Sequence, residues 1–214
     1  MKKPCAVAAI IMAASPALAH HPLAGAPMIT FGQGVLSGLG HPVLGFDHLF
    51  FVIAMGIAAR FTPRPILAPA GYIAAMLLGC GLMYAGLGLP LKEAMIALSL
   101  LVLGGVILSG RALSTGGAIA IFAGFGLFHG SAFGDTLAAQ EGGAGIPVLI
   151  GYLIGLGLVQ YVIALAAGRA AGKFLGATEA DAINARLAGA MIAGIGLFLC
   201  LEAIETPVLA MIAG

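Results

Sequence analysis

The chain has 214 residues, of which 61% are hydrophobic and 8% charged, with a formal net charge of +1. A soluble domain carries about 25% charged residues, so this composition excludes an ordinary water-soluble fold and makes the bilayer the solvent. The near-neutral balance argues against nucleic acid, which requires a basic surface. Cys5, Cys80 and Cys200 form no C-x-x-C pair, which argues against a disulfide framework.

The first element in chain order is a secretory signal over residues 1–19. Lys2 and Lys3 form its positive start, residues 6–14 its short apolar stretch, and Ala17-Leu18-Ala19 its cleavage site. The competing reading is an uncleaved first membrane helix. Cleavage leaves His20 and His21 at a new N-terminus, where an α-amine and two imidazoles form either a metal-capturing end or an ordinary mobile terminus.

Residues 20–214 are expected to form a single all-α membrane domain, a six-transmembrane-helix bundle. The apolar segments cover residues 44–59, with a short helix over 31–39 ahead of it, then 66–85, 94–109, 117–133, 147–168 and 187–204. Several are shorter than the ~20 residues of a straight span and need flanking residues or local bilayer thinning. Pro63-Arg64-Pro65, the glycine-rich run ending at Pro90, and Gly142-Gly143-Ala144-Gly145 mark turns, and Pro147 suits a first helical turn. With the mature N-terminus outside, this threading puts Arg60, Arg64, Arg111, Arg169, Lys173 and Arg186 in cytoplasmic turns and only Lys92 outside. That distribution obeys the positive-inside rule, and it places both mature termini in the periplasm. Glu93, Asp135, Glu141, Glu202 and Glu205 lie at outer helix ends. Gly126-x-x-x-Gly130, Gly130-x-x-x-Gly134 and Gly151-x-x-x-Gly155 create small-residue faces that let helix backbones approach closely and allow a homo-oligomer.

An ionisable side chain within a span costs roughly 2.5–3.5 kcal/mol on insertion scales, so two polar clusters are candidates for function. The first is His41-Pro42-Val43-Leu44-Gly45-Phe46-Asp47-His48. On a continuous helix His41 and His48 stand about 10.5 Å apart, too far to share one ion. Pro42 disfavours helical geometry at His41, so the chain is expected to fold back there and bring His41 toward Asp47 and His48. The structural alternative has Asp47 capping the helix and His48 bonding to a neighbour. The second cluster is His129-Gly130-Ser131-Ala132-Phe133-Gly134-Asp135, with Glu141 beyond it, on the same side of the membrane. Imidazole with carboxylate suits first-row divalent ions such as nickel, cobalt, zinc or copper. The tyrosines and Gln160 read as interfacial or packing residues, and Ser99 and Gln160 as isolated polar residues in apolar inner halves. No H-E-x-x-H, G-x-S-x-G or Walker loop is present, so neither an enzyme nor an ATP-driven pump is expected.

At these two motifs the sequence resembles the HupE/UreJ family of hydrogenase- and urease-accessory membrane proteins, over essentially the whole mature chain. The first motif matches H-P-x-x-G-x-D-H completely. The second departs from H-G-x-A-x-G-[ED] relatives that carry a second His where this chain has Phe133 and Glu where it has Asp135. The resemblance implies an inner-membrane nickel or cobalt permease, with the ion as substrate, that serves metalloenzyme maturation. The imidazole missing at Phe133 sets cobalt or another divalent ion beside nickel. The expected metal residues are His41, Asp47, His48, His129 and Asp135, with Glu141, His20 and His21 helping to attract the ion. A non-transporting membrane sensor, scaffold or store is the main alternative, and a haem-binding bundle the third.

Overall fold

The structure is a computed structural model that describes residues 27–140 and 143–213. The signal segment, His20, His21 and Glu141 lie outside the described residues. Seven helices form: α1 (Phe31–Leu44), α2 (Phe46–Arg60), α3 (Leu67–Tyr84), α4 (Lys92–Leu108), α5 (Thr115–Ala138), α6 (Ile146–Phe174) and α7 (Ile183–Ala213). No strand occurs among the described residues. Local chemistry sets several starts. Thr30 and Gln33 make a capping box at α1, where the Thr30 hydroxyl accepts from Gln33 N and the Gln33 side chain accepts from Thr30 N. Ser114 caps α5 by accepting from Gly117 N at 3.1 Å, and Pro147 occupies the first turn of α6 as its sequence context predicts.

Four helices, α3, α5, α6 and α7, are each long and apolar enough to cross a bilayer, and α1 with α2 make a fifth if that pair, bent by 81°, is one broken span. By length and composition the described helices thus give four or five candidate spans where six were expected. The difference lies in α4, whose 17 residues extend only about 25 Å.

Glycine stripes decide which helices touch. A Cβ at Gly130 would lie 2.0 Å from the Met76 carbonyl oxygen, and one at Gly79 would lie 2.2 Å from that of Leu127, so α3 and α5 meet backbone to backbone. The pairing advances in step, with Gly126 on Tyr72, Gly130 on Met76 and Gly134 on Cys80, so these two helices run parallel. Gly151 and Gly155 seat α6 against Phe31 and Val35 of α1, and further along α6 Ala164 meets Gly56 of α2. Thus α1 and then α2 meet successive parts of the 29-residue α6, in chain order, although their own axes differ by 81°. By contrast, α4 and α7 run antiparallel, with Gly196 at Leu101 and Gly189 at Leu108. The central element is α2, which packs against all six other helices and buries Phe51, Val52, Ala54 and Met55.

Candidate metal site at a helix break

The break between α1 and α2 falls at Gly45, not at His41. His41 and Pro42 both belong to α1, which continues to Leu44; Gly45 alone leaves the helical region, with φ −85° and ψ 98°. This overturns the expected fold-back at His41. The steric bias before proline is outweighed by the packing of α1 along α6, where Gly38 lies directly against the Tyr152 carbonyl. The geometric result is nevertheless close to the one expected, since a turn of 81° at Gly45 brings the His41 and His48 ring centres to 6.2 Å. Asp47 does not cap α2: Gly45 holds the cap position, and Asp47 Oδ1 accepts from the backbone N–H of His48 at 2.8 Å.

His129 on α5 completes the cluster from 81 residues away, with its Nδ1 2.8 Å from Nδ1 of His48. It sits roughly 21 Å along α5 from Thr115 and is fully buried. Its Nε2 lies 3.0 Å from Ser99 Oγ, and Ser99 gives its single hydroxyl proton to the Ile96 carbonyl at 2.6 Å. Ser99 must therefore accept from His129 Nε2–H. In a neutral His129 the Nδ1 lone pair then accepts from His48 Nδ1–H, a tautomer assignment inferred from the network. His41 Nδ1 meets the Tyr152 hydroxyl at 2.8 Å and Thr136 Oγ1 at 3.1 Å, while Tyr152 donates to the Phe133 carbonyl at 3.0 Å.

Phe133 lies between the two α1–α2 histidines, 5.1 Å from the His41 ring centre and 4.2 Å from that of His48. Phe51 and Tyr72 enclose His129 at 4.4 and 5.9 Å. Beneath His129, Tyr72 starts a separate polar pair by donating to Gln160 Oε1 at 2.7 Å, and Gln160 Nε2 donates to the Leu156 carbonyl. Of the interfacial and packing readings of Tyr72, Tyr152 and Gln160, burial supports packing: all three are fully buried, and they are also hydrogen-bonded into or beneath the cluster. A tyrosine in the middle of an apolar run needs a partner for its hydroxyl, and that was the available signal.

The carboxylates form a separate outer group. α5 runs on to Ala138, past the expected end at Phe133, so Asp135 is a helical residue and pairs with Lys92 at the start of α4. Glu93 is within electrostatic reach of Asp47, Lys92 and Asp135. Among the described residues, no three imidazole, thiol or carboxylate groups already stand where they could share one ion. What the fold assembles is a buried imidazole pair, a third imidazole beside it, and a rim of three carboxylates and one lysine.

These features define a multi-pass α-helical membrane protein with a histidine cluster at a helix break. The chain belongs to the HupE/UreJ family, whose model, described as HupE / UreJ protein, matches residues 8–199. It is 29% identical over 185 residues to Protein HupE of Rhizobium leguminosarum bv. viciae, covering 86% of this chain and 93% of that protein. No solved structure matches the chain.

Proposed function

We propose that the chain is an inner-membrane permease that admits nickel or cobalt from the periplasm for metalloenzyme maturation. The observation that carries this reading is the direct contact of His48 with His129, joined by His41, at a break in a membrane helix. Irregular backbone at membrane depth is tolerated where it lines a polar or protein-filled site, and broken helices commonly carry substrate sites. With metal–nitrogen bonds of ~2.0–2.1 Å, two nitrogens at right angles on one ion stand ~2.9 Å apart. The two Nδ1 atoms stand 2.8 Å apart, so an ion binding both must displace the proton between them but need not move the helices. Asp47, Glu93 and Asp135 attract the cation to the rim. The relative helix directions agree with six crossings in which α1 and α2 form a broken first span and α4 a short third one. A signal cleaved after Ala19 would set both termini in the periplasm. No nucleotide motif is present, so the membrane potential or the metal gradient drives entry; a divalent ion gains about 4.6 kcal/mol per 100 mV.

One observation favours the rival, a membrane sensor or store that binds without transporting. Below Gln160 the way inward is closed where Gly56 meets Ala164, since a Cβ there would come within 2.0 Å of the Ala164 carbonyl oxygen. Transport requires α2 and α6 to part at this point. The deciding experiment measures cell-associated nickel, cobalt, zinc and copper over time in cells with wild type, His48→Ala or His129→Ala at matched protein levels. Accumulation of one metal that both variants abolish supports the permease. Metal bound to purified wild type without accumulation supports the rival.

A further inference from the structure

At the end of the bundle that carries Arg60, Arg64, Arg169 and Lys173, α2 and α6 leave a groove of about 210 Å³ beside their crossing. Its walls include the apolar side chains of Pro65, Ile66 and Leu165, and Arg60 and Arg169 also line it. Arg169 lies 23 residues beyond Ile146, roughly 34 Å along α6, more than the ~30 Å thickness of the hydrocarbon core. The guanidiniums therefore stand at headgroup depth, with the apolar walls bordering the acyl region.

Arg60 is held in place by the fold. Its Nε donates to the Ala177 carbonyl at 2.9 Å and its Nη1 to that of Gly168 at 3.4 Å. The guanidinium lies against Gly172, where a Cβ would come within 2.2 Å of Cζ. Arg169 is exposed and donates to the Leu165 carbonyl. Carbonyls leave both positive charges uncompensated. Among the described residues the one ion pair is Lys92 with Asp135, at the other end of the bundle, and neither Glu179 nor Asp181 pairs with these arginines. Two planar guanidiniums beside an apolar slot match a phosphate with an acyl chain attached. They also disfavour a headgroup that adds a fixed positive charge.

We propose that this groove binds an anionic phospholipid, its phosphate held by Arg60 and Arg169 and a chain lying along Ile66 and Leu165. The assignment is independent of metal transport. The test is native mass spectrometry of the detergent-purified full chain titrated with phosphatidylglycerol or phosphatidylcholine. Wild type, Arg60→Gln, Arg169→Gln and Arg64→Gln are compared, with inorganic phosphate as a competing arm and melting temperature as a folding check. Wild type should prefer phosphatidylglycerol, and removing either groove arginine should reduce that preference about fivefold, as expected for one basic residue near an anionic lipid. Arg64→Gln, on the same face but outside the groove lining, should leave it intact. Arg169 is exposed, so its variant reads out binding even if Arg60→Gln loosens the fold. Equal retention of the two lipids by wild type, or an Arg169→Gln preference equal to that of Arg64→Gln, overturns the proposal. Stabilisation by inorganic phosphate equal to that by phosphatidylglycerol overturns it in favour of a soluble anion.

Discussion

Replacing Ser99 by alanine tests the histidine cluster without touching a histidine. Ser99 Oγ is the acceptor for His129 Nε2–H at 3.0 Å, and both residues are fully buried. Alanine removes the acceptor and leaves a donor in an apolar interior, at a cost of about 1–3 kcal/mol, or roughly 5- to 150-fold in an equilibrium constant. The ring can avoid this by moving its proton to Nδ1, but that nitrogen faces His48 Nδ1, which must then give up its own proton there. Either route disturbs the pair proposed to meet the ion. Loss of a partner behind a metal-binding imidazole typically costs 10- to 100-fold in affinity or activity. Ser99→Ala is therefore expected to raise the metal concentration for half-maximal uptake, and the dissociation constant of the purified protein, by about that factor. Ser109→Ala is the control, since Ser109 is exposed and bonds only within its own turn and the next one. If Ser99→Ala and Ser109→Ala bind and accumulate metal equally well, the Ser99–His129–His48 chain does not hold the ion.

Two further predictions concern packing and the outer rim. Gly130→Ala places a Cβ 2.0 Å from a backbone oxygen of α3, which cannot step aside, whereas a Cβ at Gly124 meets nothing within 4 Å. The first should destabilise the protein by about 1–3 kcal/mol and the second should be neutral or mildly stabilising; equal melting temperatures in detergent would exclude the backbone contact. Lys92→Gln removes the ion-pair partner of Asp135 at a partly exposed site, so stability should fall by no more than ~1 kcal/mol. With Asp47, Glu93 and Asp135 no longer opposed, apparent affinity for a divalent cation should rise up to about fivefold at low salt, and the gain should shrink as salt screens it. An uptake curve unchanged at low ionic strength would remove the rim from the pathway.

The apolar segments were legible in the sequence because lipid exposure demands long uncharged helices, and six of the seven helices fall where hydropathy places them, to within a few residues at most ends. The exceptions have local causes. The C-terminal extension of α5 carries Asp135 and Thr136, polar residues that hydropathy reads as a helix end, yet here they pair with Lys92 and His41. The helix break was assigned to Pro42 because proline is the usual breaker, but a proline tolerated by its surroundings leaves no mark in sequence.

The residue types themselves determined much of the candidate site. Histidines within apolar runs are costly unless they find polar partners, so His41, His48 and His129 were identifiable one by one. Which nitrogen meets which partner was decided only when the glycine stripes of α5 and α6 brought α3 and α1 into backbone contact. The same contacts placed Tyr152 against His41 and Tyr72 against His129, and α4 set Ser99 behind His129. Such pairings span from 30 to 111 residues of chain. No local pattern encodes them, because they arise from how closely whole helices approach.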